Sequence, residues 1–519
     1  MKKPGLWRIA SIVAIFCVAA AIASPAKTFT VVASFDGKNG GLADVALVQG
    51  LNGNFYGTTY VGGAYNNNQV CNGYGCGTVF EITAAGKLTT IHNFCSKTNC
   101  ADGALPNALV LATNGNFYGT TQNGGTNRGG TVFEVTPAGK LTTLYSFCAL
   151  ANCADGDGPG PLVQATDGNL YGATVTGGIL NGDAGCPFGC GTIFKITPKG
   201  ALTTLYSFCP IDGQCPDGQF PESVTPASNG NFYGVTQSAG ANGRGTVFEM
   251  TPQGDLNTLH SFCQQSACAD GEIPLGMLMQ AANGKLYGTT QYGGTGHATY
   301  CNGCGTVYEI TLAGKLTTVH NFCSQANCTD GSNPIAGLVQ GTNGNFYGTT
   351  WTGGNASAGL CSGTGCGTVF EVTPAGKLTI LHGFCPAPQE FCTDGAYPVA
   401  ALMQATNGTF YGLADKGGAD YQGCVASGGC GDVFSLSMGL GPFVETFPTS
   451  GKVGRDVTIL GNNLKGTTSV SFHGTPAAFT VISGTEIKTS VPSGATTGFI
   501  KVTTPTKALN SKAVFRVTK

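Results

Sequence analysis

Apolar and polar positions alternate along this chain in short runs separated by glycine-rich turns, the period-two pattern of strands that bury one face. Residues 108–147 show the unit. Ala108-Leu109-Val110-Leu111 is one run, Asn114-Gly115 is a tight hairpin signal, and Phe117 to Thr121 is a second run. A variable loop leads to Thr131 through Thr136, and Pro137-Ala138-Gly139-Lys140 turns the chain again. Leu141 to Phe147, rich in Thr, Leu and aromatic residues, is the fourth run. Four antiparallel strands per unit of this length predict a propeller blade.

The unit recurs. Tyr-Gly begins at Tyr56, Tyr118, Tyr171, Tyr233, Tyr287, Tyr347 and Tyr411, and Gly-Thr-Val-Phe or a variant tracks it at Phe80, Phe133, Phe194, Phe248, Tyr308, Phe370 and Phe434. Seven copies predict seven blades. Fourth-strand sequences end at Phe94, Phe147, Phe208, Phe262, Phe322 and Phe384, and a seventh, Thr28 to Phe35, stands alone near the N-terminus. The last unit stops after its third strand, Val433 to Ser437. The expected fold is therefore all-β: a seven-bladed β-propeller closed by the N-terminal strand, which removes open sheet edges.

Residues 1–26 differ. Lys2, Lys3 and Arg8 precede an apolar run from Ile9 to Ala23, with small residues up to Ala26, the pattern of a signal peptide. No later run is long enough to span a bilayer as a helix. Only 10% of residues are charged, with a formal net charge of −2 and no basic tract, which argues against nucleic acid as a partner. The chain is expected to be secreted or exposed at a bacterial envelope, and monomeric.

Setting aside Cys17, twenty-two of the 23 cysteines fall into eleven close pairs. Six lie between one unit's fourth strand and the next unit's first: Cys95 with Cys100, Cys148 with Cys153, Cys209 with Cys215, Cys263 with Cys268, Cys323 with Cys328, and Cys385 with Cys392. Five lie between second and third strands: Cys71 with Cys76, Cys186 with Cys190, Cys301 with Cys304, Cys361 with Cys366, and Cys424 with Cys430. After export these are expected to be local disulfides. Cys301 and Cys304 share their loop with only His297, too few ligands for structural zinc, so no metal is assigned. In a four-stranded meander both loop classes leave from one edge, so all eleven pairs are expected on one face. That face is the candidate functional surface.

Catalytic groups should break the repeat, and few do. His92, His260, His320 and His382 share one position with Tyr145 and Tyr206, and are expected to pack. Glu81, Glu134, Glu249, Glu309 and Glu371 repeat in the third strand as surface or blade-to-blade contacts. The Asp-Gly pairs at Asp102, Asp155, Asp217, Asp270, Asp330 and Asp394 fit turns better than calcium ligands. Trp351, the only tryptophan after the leader, stands where other units carry Tyr60, Gln122, Val175, Gln237, Gln291 and Lys416. Aromatic faces stack on sugars, so Trp351, Tyr60, Tyr292 and Tyr300 are the candidate ligand-binding residues. Leu413-Ala414-Asp415-Lys416 replaces the usual Thr-Thr pattern in unit seven, where an Asp–Lys salt bridge is expected. No cofactor motif and no catalytic set is assigned.

The repeat, with its Asn-Gly-Asn-Phe-Tyr-Gly-Thr-Thr and Gly-Thr-Val-Phe-Glu-Val-Thr-Pro-Ala-Gly-Lys-Leu-Thr segments, resembles the bacterial choice-of-anchor tandem repeat GloVer-containing proteins over residues 28–438. The resemblance implies export but supplies no catalytic residues. After Pro442 cysteines cease. Val457-Thr458-Ile459, Val470-Ser471-Phe472, Val491-Pro492-Ser493-Gly494 and Gly498-Phe499-Ile500 look like an IPT/TIG immunoglobulin-like β-sandwich. The expected division is 1–26 signal peptide, 27–440 propeller and 441–519 IPT/TIG domain. The expected function is binding or adhesion to a glycan or cell-surface protein through the cysteine-rich face. The competing expectation is a propeller-type polysaccharide lyase or glycoside hydrolase acting at the central channel.

Overall fold

The computed structural model describes residues 27–518 except 68, 72, 181–185, 211–213, 299–300, 355–360, 362, 387–391, 419–423 and 425–427. The leader assigned to residues 1–26 lies outside the described residues. The described chain is all-β, interrupted only by three-residue 3₁₀ turns such as Ala151–Cys153. Among the described residues no helix is long and apolar enough to cross a membrane.

Seven antiparallel sheets of four or five strands follow one another along the chain. In the third, Asp157–Gln164, Leu170–Thr176, Thr192–Ile196 and Leu202–Ser207 pair in sequence order. The seventh draws on both ends of the repeat region. Its outer strand is the N-terminal Thr28–Ser34, antiparallel to Asp432–Ser437 with Thr28 opposite Ser437 and Ser34 opposite Asp432.

The two recurring motifs are cross-strand partners. Gly57 lies opposite Phe80, Gly119 opposite Phe133, and Gly172 opposite Phe194, and the series continues through all seven sheets. The aromatic ring lies on the glycine: a Cβ at position 119 would sit 2.6 Å from Cζ of Phe133. The same ring meets the preceding sheet edge-on. Phe94 packs on Phe133, Phe147 on Phe194, Phe208 on Phe248, Phe262 on Tyr308, Phe322 on Phe370 and Phe384 on Phe434, with centroids 5.1 to 5.5 Å apart. The seventh contact, Phe35 with Phe80 at 5.2 Å, joins sheet seven to sheet one. Each such pair contributes about 0.5–1.5 kcal/mol beyond its area burial.

Second strands are tied to the leading segments of the neighbouring sheets. Hydroxyls of Thr58, Thr120, Thr289 and Thr349 donate to carbonyls of Asn107, Gly160, Ala336 and Ala400, each in the next sheet's leading segment. The recurring third-strand glutamates act within their own sheet instead of between sheets: Tyr56 donates to Glu81 Oε1 at 2.7 Å and Asn54 donates to the same oxygen at 2.7 Å. This ties the Asn-Gly turn to the sheet edge.

Residues from Glu445 onward form two four-stranded sheets around Val457, Ile459, Val470, Phe472, Ile487, Ile500, Val502 and Phe515. This sandwich rests on the Asn-Gly turns. Thr485 Oγ1 donates to the Leu51 carbonyl at 2.7 Å, and Asn462 Nδ2 donates to Thr406 Oγ1. The face with minimal turns is therefore partly covered by the sandwich.

Two stability outcomes follow. Gly119→Ala forces a methyl into Phe133 and is expected to cost about 1–3 kcal/mol in denaturant unfolding; an unchanged midpoint would dismiss this contact as the source of the register. At the seam, Asp432 is fully buried, where six sheets carry a threonine hydroxyl pair such as Thr121 and Thr131 at 2.9 Å. Burial, with the Asp394 charge adding to it, pushes its carboxyl up from 3.8 to about 7 despite a hydrogen bond from Ser34. A raised carboxyl makes the fold most stable below about pH 4 and loses that stability as pH rises to and through about 7. Asp432→Asn should therefore leave the melting temperature little changed at pH 4 and raise it at pH 8, recovering up to about 4 kcal/mol.

Candidate functional site

All eleven cysteine pairs form disulfides. Between sheets, Cys95 is bonded to Cys100, Cys148 to Cys153, Cys209 to Cys215, Cys263 to Cys268, Cys323 to Cys328 and Cys385 to Cys392. Within the loops from second to third strands, Cys71 is bonded to Cys76, Cys186 to Cys190, Cys301 to Cys304, Cys361 to Cys366 and Cys424 to Cys430. Strand register puts them at one edge, because the end of each second strand pairs with the start of the third and that start pairs with the end of the fourth. Thr59 lies opposite Thr78, and Thr78 opposite Asn93.

One consequence was not foreseen from spacing. The two bridges of a unit touch: Cys71 and Cys95 sulfurs are 3.7 Å apart, Cys301 and Cys323 4.0 Å, and Cys366 and Cys392 3.8 Å. The local pairings hold as expected, and in these units the two bridges also meet. The physical reason is that the two loops leave adjacent strand ends and are both drawn in toward the sheet. Among the described residues, Cys215, Cys268, Cys328 and Cys430 fall outside these sulfur clusters. For Cys268 the reason is plain in the sequence, since unit four carries no cysteine between its second and third strands.

The inter-sheet bridges hold a costly backbone. Cys148 has φ +58° and Cys153 φ +53°, Cys263 and Cys268 have +63° and +54°, and Cys323 and Cys328 have +55° and +50°. Such a left-handed conformation costs an L-residue about 1–2 kcal/mol, while a short bridge closes little chain. The bridges act by fixing loop shape. The Asp-Gly carboxylate completes the loop. Asp155 accepts from the N–H of Ala149 at 3.0 Å, the N–H of Leu150 at 3.1 Å and the Tyr145 hydroxyl at 2.9 Å. In other units a histidine takes the tyrosine's place, as His382 does at 2.9 Å from Asp394. Most of these carboxylates are committed to their own loops; Asp217 uses only Oδ2, and its buried Oδ1 has no partner.

Two of the candidate ligand residues come together on this face. Tyr292 and Trp351 line a cleft of about 400 Å³ with Asn333, Thr352, Thr364, Tyr397 and Lys416. Trp351 is 37% exposed, 6.1 Å from the Tyr397 ring, and the Lys416 ammonium lies 5.6 Å from the Tyr397 centroid. Sequence reasoning missed Tyr397. Its signal is the Tyr-Pro at the start of unit seven, where unit six has Asn333-Pro334. Tyr60 lies in sheet one, away from Trp351 in sheet six, and donates to Gln122 Oε1 at 3.0 Å. Tyr300 lies outside the described residues.

Backbone pairing corrects one equivalence. Trp351 N–H donates to the Asn333 carbonyl, Tyr60 N–H to Leu42 and Asp415 N–H to Tyr397. Asp415, not Lys416, therefore occupies the Trp351 position in unit seven. The expected Asp415–Lys416 salt bridge is not among the ion pairs of the described residues, although the lysine charge does lower the Asp415 carboxyl.

Asp415 has a neighbour in sheet one. Asp44 follows the left-handed Leu42 and precedes the first strand. Burial and then the Asp415 charge push its carboxyl up to about 7. Burial pushes Asp415 up to about 6 against the pull of Lys416. Both keep partial solvent exposure; Oδ1 of Asp44 is shut off from solvent without a partner, while a hydrogen bond from its own backbone N–H pulls the carboxyl down against burial. Tyr60 lies within reach of the Asp44 charge, which with burial raises its hydroxyl. At the Asp44 position of unit four stands Glu222, pushed to about 7 by burial alone.

The Gloeobacter/Verrucomicrobia repeat matches residues 18–222, 183–426 and 300–473, and the IPT/TIG domain matches 443–515. The chain belongs to the Gloeobacter/Verrucomicrobia repeat family. No curated protein matches this repeat protein. Among solved structures, a fungal alcohol oxidase of the AA5 family in complex with copper shares 14% identity, covering 95% of this chain and 99% of its own, with a TM-score of 0.50. A gluconolactonase from Xanthomonas campestris shares 12% identity over 64% of this chain and 85% of its own, with a TM-score of 0.35. At such identity the oxidase likeness is one of fold, and its copper belongs to that enzyme.

The touching bridges yield a redox outcome. Cys76→Ser leaves the Cys71 thiol 3.7 Å from Cys95, placed to attack the Cys95–Cys100 bridge. Peptide mapping should find Cys71 joined to Cys95 and Cys100 free; an intact Cys95–Cys100 bridge would show that the loops hold the sulfurs apart.

Proposed function

We propose that this repeat-family protein is an exported binding protein that recognises a glycan on its disulfide-braced face. The observation that carries this is the cleft of Tyr292, Trp351 and Tyr397, whose aromatic surfaces stand beside the polar Asn333, Thr352, Thr364 and Lys416. Sugars present apolar C–H faces and hydroxyl edges, and a site of flat aromatic walls with a few polar groups suits both. The eleven disulfides fit an oxidising compartment, and with the signal-peptide pattern they support secretion or display at the cell surface. The frame for the site is a closed propeller of seven blades over residues 27–440. This is supported by the Phe35–Phe80 contact and the N-terminal strand in sheet seven. The sandwich of residues 441–519 occupies the turn face as a spacer, and the molecule acts as a monomer.

A glycan array tests the reading. Trp351→Ala and Tyr397→Ala should each weaken binding about tenfold, the worth of one lost stacking contact, while Tyr60→Ala should weaken it less. Equal binding by wild type and Trp351→Ala would remove the cleft from the site. Binding to no arrayed glycan would end the reading.

A further inference from the structure

We infer that the glycan of the aromatic cleft is acidic, a chain of uronic acids whose carboxylate is received by Lys416; this rests on the glycan reading above. The first argument is the charge of the lining. Among the described lining residues Lys416 alone is charged. Its ammonium makes no hydrogen bond and no ion pair among the described residues. Its contact is the Tyr397 ring, 5.6 Å away at the centroid. A ring face attracts a cation but does not use up its three N–H donors. Asp415 precedes the lysine in the chain, yet it neither lines the cleft nor pairs with it. The chain as a whole carries a net charge of −2, so this cation is not the surplus of a basic surface.

The second argument is which polar groups the protein has already used. Asn333 Oδ1 accepts from Thr352 Oγ1 at 2.8 Å, and Asn333 Nδ2 donates to the Gln291 carbonyl at 3.2 Å. The Thr364 side chain is hydrogen-bonded to Tyr397. The carbonyls of Asn333, Thr352, Thr364, Tyr397 and Lys416 already accept from the N–H groups of Trp351, Ser332, Gly353, Asp415 and Ala396. Among the described residues, three lining groups make no hydrogen bond: the Lys416 ammonium, the Trp351 indole N–H and the Tyr292 hydroxyl. The first two donate only, and the third can donate. A cleft whose acceptors are spent and whose remaining groups are donors suits a ligand rich in acceptors. A neutral hydroxyl brings a donor with each acceptor. A carboxylate only accepts, and it carries the charge that answers the lysine.

Third, the cleft is a track across consecutive units. Tyr292, Thr352 and Lys416 fill one repeat position in sheets five, six and seven, each opposite the residue that follows an inter-sheet glycine: Glu272, Ser332 and Ala396. Asn333 and Tyr397 fill a second position in sheets six and seven, with N–H groups donating to the Cys304 and Cys366 carbonyls. An extended chain laid across the sheets meets these side chains in turn. Packing does not call for a lysine there, since the other units carry Val61, Asn123, Thr176 and Ser238 at that position. Trp351 is 37% exposed and lies 6.1 Å from the Tyr397 ring, the same ring that Lys416 approaches. A uronic acid carries its carboxylate at the rim of a flat C–H face. Stacked on the aromatic wall, it turns that rim toward the ammonium. The aromatic rings supply the affinity for a sugar, and Lys416 decides which sugar.

The test uses the full chain and calorimetry with oligosaccharides of polygalacturonate and alginate, each set against its carboxyl-reduced, neutral counterpart, and with a sulfated galactan. Wild type should bind at least one uronate about tenfold or more tighter than its neutral counterpart at low salt, and the preference should shrink as salt rises. Lys416→Gln should weaken uronate binding about tenfold and erase the preference, whereas Lys416→Arg should keep it. Should Lys416→Gln fail to fold, the preference of wild type between acidic and neutral forms alone decides. Equal binding of acidic and neutral forms by wild type, or a preference that survives in Lys416→Gln, would overturn the uronate inference and leave the glycan reading standing. Tighter binding of the sulfated galactan than of any uronate would overturn it in favour of a sulfated sugar. Binding to none of them, acidic, neutral or sulfated, would overturn both.

Discussion

One contact sets the geometry on which everything else depends: the third-strand aromatic ring lying on a glycine of its own sheet. Phe80 covers Gly57 and also receives Phe35 edge-on from the neighbouring sheet. A strand slipped by one residue would turn the ring to the other side of its sheet. The Gly–Phe pair therefore fixes register within a sheet, and the Phe–Phe pair fixes the spacing between sheets. Once register is set, the threonine pairs meet, the tyrosines reach the glutamates, and both classes of loop leave from one edge.

That regularity gives the departures their meaning. Where a position recurs with one chemistry, as in the Asp-Gly loops, each side chain has a packing task. Where the chemistry changes from unit to unit, as along Tyr60, Gln122, Trp351 and Asp415, packing does not dictate the residue. The variable series lies at the end of the second strands, where the disulfide-braced loops begin. The sandwich meanwhile occupies the opposite face through Thr485 and Asn462. Scaffold and open surface are thus divided between the two ends of each strand.

Much of this was legible in the sequence because repetition averages away local ambiguity. Seven copies disclosed the strand order, the unpaired N-terminal strand and the cysteine pairs. What the repeat did not disclose depends on backbone conformation or on contacts between loops. The left-handed turn at Cys148 leaves no mark in residue type. The meeting of Cys71 with Cys95 joins loops 24 residues apart. Asp44 precedes the first aligned motif, so no periodicity pointed to it. Asp415 was assigned one residue out because Leu413-Ala414 erases the Thr-Thr marker that aligns the other units.

The departures concentrate at the seam, and energetics supplies a reason. Asp432, Asp415 and Asp44 all lie in sheet seven or in the segment entering sheet one. Each is a carboxyl held above its ordinary range by burial, so each costs the ionised fold stability at neutral pH. A rigid surround must carry that cost if the groups are to stay in place. Six sheets with threonine pairs, antiparallel pairing and aromatic contacts on both sides provide it. The seam is also where the two ends of the repeat region meet, so a polar group can be introduced there while the six remaining threonine pairs are left intact. Buried carboxyls disturb least where the repeat is already broken, as at this seam.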